Sequence, residues 1–288
     1  MNRIAALYDI HGNLPALEAV LEDVFREGIE EILVGGDVLP GPMPAETLER
    51  VRSLDRPVRF ITGNGERDVL SVLTGSEPAG LPGSVLDVLR WVAGELGPDD
   101  VAALEAWPST VLHDIEGLGR ALFCHATPQS DTEIFTRLTP EESLRPLFEG
   151  LDADIVVCGH THMQFDRMVG RVRVVNAGSV GMPFGAPAAY WLSLGAEVRL
   201  RRTEYDLAEA ADRVRRTAYP QAGEFAERWI LRPKTEAEGL DAFEPVALQG
   251  DPMARRDDRE VRGDEEDARR TDHEVRDPGG RESRRSSS

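Results

Sequence analysis

Five short blocks gather the side-chain types that bind divalent cations: Asp9-Ile10-His11-Gly12-Asn13, Gly36-Asp37, Gly63-Asn64, His125 and Gly159-His160-Thr161-His162. Hard cations take carboxylate and amide oxygens, and borderline transition metals also accept neutral imidazole. Asp9, His11, Asp37, Asn64, His125, His160 and His162 are more donors than one ion needs, so two ions sharing a carboxylate is the economical reading. Asp37 is the expected bridge because it stands alone at its strand end. Residues two apart on an extended segment point the same way, which lets Asp9 converge with His11 and His160 with His162. Singly the blocks mean little, since Gly-Asp and Gly-Asn are ordinary turn chemistry and a lone His on a strand end is commonly structural. His113 and His273, outside the blocks, are read that way. The ordered set points to a metal centre, because five polar blocks after five apolar runs would otherwise leave carboxylates and imidazoles stranded near a core.

The elements that must position these blocks follow from the spacing of apolar residues. Residues 4–8 form a short apolar strand, and Leu14, Leu17, Val20, Leu21 and Val24 fall at helical spacing across 14–25. A strand at 31–34, a helix at 45–54 behind Pro44 and a strand at 58–62 complete a βαβαβ pattern with a parallel sheet. A helical insertion at about 65–108 then interrupts the rhythm. Strands return at 120–124, 155–158, 172–175, 189–194 and 198–202, mostly without helices between them, which suggests a second, more antiparallel sheet packed on the first. Helices at 207–216 and 222–230 are expected to close a globular part spanning 1–249. Residues 250–288 carry almost nothing apolar, cannot offset their ordering entropy, and are expected to be a disordered charged tail.

Composition narrows the function classes. The chain has 52 acidic against 33 basic residues, a formal net charge of −19, which opposes binding to a nucleic-acid backbone. No apolar run is long enough to span a bilayer, and the N-terminus runs straight into a strand rather than a secretory leader. The two cysteines, Cys124 and Cys158, lie in apolar runs, so buried core thiols are expected rather than a disulfide or thiolate ligands. A reducing cytoplasm is the expected compartment.

The order D-x-H, G-D, G-N, H, G-H-x-H resembles the calcineurin-like metallophosphoesterase superfamily over about residues 1–201. Gly36-Asp37-Val38-Leu39-Pro40-Gly41-Pro42, His125-Ala126-Thr127-Pro128 and Asn176-Ala177-Gly178-Ser179-Val180-Gly181 resemble more closely its small bacterial YfcE-like and related phosphodiesterase branch. The resemblance implies the α/β class as a four-layer α/β/β/α sandwich, two packed mixed sheets flanked by helices. It implies one ion held by Asp9, His11, Asp37 and His162, and another by Asp37, Asn64, His125 and His160. Manganese is the metal it favours, with Fe, Zn, Ni or Mg compatible, and the substrate it implies is a small phosphate ester attacked by hydroxide bridging the two ions.

One block departs from the family pattern. Gly-Asn-His-Glu or Gly-Asn-His-Asp is usual, whereas this chain has Gly63-Asn64-Gly65-Glu66. The missing imidazole removes a general acid of the kind that contributes about 10²–10⁴-fold in rate. Either His11 or a water is then expected to supply the proton, or the substrate has a good leaving group, or activity is low. Glu66 is a candidate to orient a ligand, Asn13 to contact the phosphate or to support a ligand from behind, and Arg67 to reach a phosphate oxygen or to form an ordinary surface ion pair. Val38-Leu39-Pro40 replaces the Asp-Arg-Gly-like stretch of protein phosphatases, which ranks that activity below small-substrate hydrolysis. A protein-binding scaffold that keeps the fold without catalysis, and a nuclease, are the alternative readings.

Overall fold

The first strand, β1 (Ile4–Leu7), is buried along its whole length, as a strand covered on both faces must be. Its side chains alternate between two cores. Ile4, Ala6 and Tyr8 point into a layer shared with a second sheet, while Ala5, Leu7 and Ile10 point toward helices. After α1 (Leu14–Arg26) come β2 (Glu31–Val34), α2 (Pro44–Arg52) and β3 (Val58–Phe60), so the expected βαβαβ unit is present. Three helices follow: α3 (Asn64–Leu73), α4 (Gly83–Glu95) and α5 (Pro98–Glu105). The chain continues through β4 (Thr110–Ile115), β5 (Gly119–Cys124), α6 (Glu141–Phe148), β6 (Ile155–Cys158), β7 (Phe165–Val169), β8 (Val172–Asn176), β9 (Ala189–Leu194) and β10 (Val198–Thr203). It ends in α7 (Leu207–Arg215), α8 (Ala222–Phe225), a π-helical turn at Ala226–Leu231 and α9 (Glu236–Phe243). This is a computed structural model, and it describes residues 3–249.

The strands form two five-stranded sheets, ordered β10-β9-β1-β2-β3 and β4-β5-β6-β8-β7. Phe123, Val157 and Val175 of the second sheet meet Ile4, Ala6, Tyr8 and Leu33 of the first across the central layer. Helices α1, α2, α4 and α7 cover the outer face of the first sheet, and Leu144 and Phe148 of α6 cover that of the second. The architecture is therefore a four-layer α/β/β/α sandwich of mixed sheets.

Two details differ from the sequence reading. β9 and β10 return to the first sheet, where β9 pairs antiparallel with β1. Each sheet consequently has two parallel and two antiparallel pairings, and the second is no more antiparallel than the first. Strands β4 and β7 went unpredicted because both are edge strands in which charged residues, Asp114 in one and Asp166 and Arg167 in the other, interrupt the apolar run. Met1–Gln249 forms one compact unit. The expected disordered tail at 250–288, with His273, lies outside the described residues. Among those described, no helix is long and apolar enough to cross a membrane. Cys124 and Cys158 are unpaired and buried in the core under α6, and burial pushes both thiols well up.

Candidate metal centre

The five blocks sit on loops that leave the C-terminal ends of β1, β2 and β3 in one sheet and of β5 and β6 in the other. The loops are bent hard. Apart from Leu248, the non-glycine residues with positive φ among those described are Asp9 (53°), His11 (48°), Asp37 (51°), His160 (66°) and His162 (57°). Such conformations cost of order 1–3 kcal/mol each and persist only where surroundings over-determine them. Asp9 and His11, and His160 and His162, therefore do not converge by strand alternation, as the sequence reading supposed; left-handed backbone turns them inward.

Hydrogen bonds between loops hold these turns. The amides of His11 and Gly12 donate to the carbonyls of Asp37 (2.9 Å) and Val38 (2.8 Å). The Asp9 carbonyl accepts from Ser179 Oγ (2.7 Å) and the Gly181 amide (3.0 Å), and Asp9 Oδ2 accepts from the His160 amide (2.9 Å). Glu66, fully buried, accepts from the amides of Asp37 (2.8 Å), Leu39 (3.0 Å) and Gly63 (2.8 Å). Asn176 Nδ2 donates to the Gly159 carbonyl (2.6 Å), which ties the 159–162 loop to β8.

Inside this frame the side chains converge. Asp9 Oδ1 lies 3.3 Å from His162 Nε2, 3.8 Å from His125 Nε2 and 3.9 Å from His11 Nε2. Asp37 turns Oδ1 toward His125 Nε2 (3.5 Å) and Oδ2 toward His11 Nε2 (3.7 Å). Ligand atoms of Asp9, His11 and His162 fall within 4.8 Å of one another, and so do those of Asp9, Asp37 and His125. Asp9 thus belongs to both groups, while Asp37, the expected bridge, offers one oxygen to each side. The outer nitrogen of every histidine meets a backbone carbonyl: His11 Nδ1 with Pro40 (3.2 Å), His125 Nδ1 with Gly35 (2.9 Å), His160 Nε2 with Thr132 (3.2 Å) and His162 Nδ1 with Met182 (2.7 Å). A carbonyl only accepts, so each outer nitrogen carries the proton and each inner nitrogen presents a lone pair to the cluster.

One oxygen in the cluster fits a cation: Asp9 Oδ1 is buried without a hydrogen-bond partner. Asn64 lies beside it, with its amide nitrogen placed to donate to His125 Nε2 (3.2 Å), His160 Nδ1 (3.1 Å) and the Asp131 carbonyl (3.2 Å). Electrostatics point the same way. Burial pushes the Asp37 carboxyl up, but His125, His11 and the Gly65 amide outweigh it and hold it well below the usual carboxylate range. Burial pulls His125 down, yet Asp37 and Asp9 outweigh it and raise it to about 10, the mark of a carboxylate-lined place that favours positive charge. Burial, with His125 beside it, depresses His160 to about 4.

The remaining predicted residues fare differently. Asn13 is fully buried and caps α1, with Oδ1 accepting from the Ala16 amide (3.3 Å) and Nδ2 donating to the Gly181 carbonyl (3.0 Å). Both ends of its amide are engaged by backbone, in the loop that follows the Asp9 and His11 block. Arg67 stands at the rim on α3, paired with Asp131 (2.7 Å) and Asp68 (3.3 Å). Gly65 is sterically required: a Cβ there would lie 2.1 Å from the Leu39 carbonyl oxygen, and its amide donates to Asp37 Oδ1 (2.7 Å). His113 lies near Glu31, away from the cluster. Sequence reasoning missed Pro40, Thr132 and Met182, which act through backbone carbonyls and so leave no side-chain signal. It also missed Phe184, whose ring is 6.3 Å from that of His162.

The chain belongs to the calcineurin-like phosphoesterase superfamily, whose domain model matches residues 2–194. It is 27% identical over 239 residues to the uncharacterized protein MJ0912 of Methanocaldococcus jannaschii, covering 76% of this chain and 94% of that one. It is 26% identical over 200 residues to phosphodiesterase YfcE of Escherichia coli, covering 66% and 86%. Its fold is shared with protein PH1004 of Pyrococcus horikoshii (TM-score 0.67, 22% identity, 82% of this chain and 100% of that one). A metallophosphoesterase from Sphaerobacter thermophilus shares it too (TM-score 0.62, 23% identity, 79% and 98%).

Proposed function

We propose that this protein hydrolyses small phosphate esters, diesters foremost, with two divalent ions held by Asp9, His11, Asp37 and His162 on one side and Asp37, Asn64, His125 and His160 on the other. The observation that carries the reading is the orphaned Asp9 Oδ1 at the meeting point of three imidazoles whose outer nitrogens are all pinned by carbonyls. When bound, such ions lower the pKa of a shared water and neutralise charge on the phosphoryl oxygens during in-line displacement. Manganese is the metal we favour. The chain's own contribution is to hold four imidazoles and two carboxylates rigid, so that little reorganisation accompanies reaction.

His11 Nε2 faces His162 Nε2 at 3.2 Å within the ligand cluster, where it would serve as a ligand rather than as a proton donor. With Gly65 carrying no side chain, the leaving-group proton falls to water. Esters with acidic leaving alcohols are therefore the best substrates. The catalytic unit is residues 1–249, with the start of α3 bringing Asn64 to the site, and a cytoplasmic setting suits the two free thiols.

The test is hydrolysis of bis(p-nitrophenyl) phosphate beside p-nitrophenyl phosphate, after stripping with chelator and with or without added Mn²⁺. Metal-dependent turnover that favours the diester and disappears in Asp37→Asn is expected. Retained turnover in metal-replete Asp37→Asn would overturn the assignment.

A further inference from the structure

The C-terminal helices lie beyond residues 2–194, the stretch matched by the family model, yet they reach the metal cluster. The link is Phe184. Its amide donates to the His162 carbonyl (3.3 Å), its ring neighbours the His162 ring, and the next amide, of Gly185, donates to the Lys234 carbonyl (2.8 Å). Trp229, from the π-helical turn, meets the Phe184 ring edge-on at 5.8 Å, and Phe243 at the end of α9 meets it at 5.5 Å. Gly239 allows this approach: a Cβ there would lie 2.9 Å from both the Phe184 ring and Met163 Sδ.

All three aromatic rings remain partly open to solvent. Aromatic side chains bury large apolar surface when they can, so three half-buried rings beside a cluster of ligating groups form the kind of surface a ligand completes. The π-helical turn that delivers Trp229 is a rare conformation, frequent at functional sites.

Building on the hydrolase reading above, we propose that Phe184, Trp229 and Phe243 form a subsite for a planar aromatic group, a nucleobase or an aryl ring, on the non-leaving arm of the phosphodiester. The phosphate lies over the metal cluster, the leaving group departs from one side, and the aromatic arm rests on the wall that the C-terminal helices build next to His162. An arm without a ring gains nothing from that wall.

The test uses one leaving group and three arms: p-nitrophenyl esters of methyl phosphate, phenyl phosphate and thymidine 5′-monophosphate, assayed with the Mn²⁺-loaded full chain. The expected kcat/KM for the phenyl or thymidine ester exceeds that for the methyl ester about tenfold, the scale of one stacked ring. Trp229→Ala and Phe243→Ala each reduce that ratio. Phenyl and thymidine esters favoured alike identify a general aryl subsite, and thymidine favoured alone identifies a nucleoside subsite. Equal kcat/KM for all three esters, or a ratio unchanged in both variants while overall activity falls, overturns the proposal. Calorimetry with thymidine 5′-monophosphate and methyl phosphate on the same loaded protein separates this failure from that of the hydrolase reading. No turnover of any ester sinks the hydrolase reading, whereas equal affinity for the two monoesters sinks the subsite.

Discussion

The two sheets contribute unlike halves of the same site. The first, through loops after β1, β2 and β3, supplies all the oxygen donors, Asp9, Asp37 and Asn64, together with His11. The second, through loops after β5 and β6, supplies only imidazoles, His125, His160 and His162. Charge thus comes from one sheet and neutral directional donors from the other, and neither half is a binding site alone. The halves are also secured differently. The Glu66 carboxylate staples three amides on the first side. The histidines of the second are each pinned by one carbonyl on the nitrogen that faces away. Cutting the first sheet's contribution should therefore cost more than cutting the second's.

The largest effect is expected from Asp37→Asn, which removes charge and a ligand together. Turnover should fall by more than the ~10–100-fold typical of losing a residue that merely supports a ligand. Calorimetry should show weaker metal binding than in His162→Asn, where only a neutral donor is lost. The reverse order would break the contrast between the sheets. Next, adding Mn²⁺ to chelator-stripped protein should raise the unfolding free energy by about 2.7 kcal/mol for each ion bound at a hundredfold excess over its Kd, read from urea melts. Asp37→Asn should show a smaller gain.

Gly65→Ala presses a methyl group onto the Leu39 carbonyl within the frame that holds Asp37. Overpacking of this kind costs about 1–3 kcal/mol in the same melts. Restoring a histidine at this position is accordingly not expected to rescue general-acid catalysis. Asn13→Ala should cost about 1 kcal/mol as a lost helix cap, with turnover retained by the folded fraction; a raised KM with unchanged stability would return it to the phosphate site. Arg67→Ala breaks a partly exposed ion pair and should shift stability by less than about 1 kcal/mol. A rise in KM beyond that small effect would identify a phosphate contact.

The parts of the fold that were legible in the sequence are those in which local pattern and burial agree. The βαβαβ start was readable because β1 is apolar throughout, β2 is apolar after Glu31, and α1 carries its apolar stripe at helical spacing. The return of β9 to pair with β1 was not, since strand pairing over such separations leaves no mark in local periodicity. At the site, all seven ligand candidates were visible as residue types on strand ends, and the structure gathers them into one cluster. Asn13 was ambiguous in the sequence because capping and phosphate binding use the same short amide at the same place, a helix start.

The sequence by itself determined which chemical groups are available, in what order, and that the usual general-acid imidazole is absent, because these are matters of composition along the chain. Tertiary structure alone decided which nitrogen of each histidine faces inward, that Asp9 joins both ligand groups, why position 65 must be glycine, and that C-terminal helices pack on Phe184 beside His162. Those outcomes depend on backbone carbonyls and close approaches between segments far apart in sequence, and residue identity does not encode where a distant carbonyl will lie.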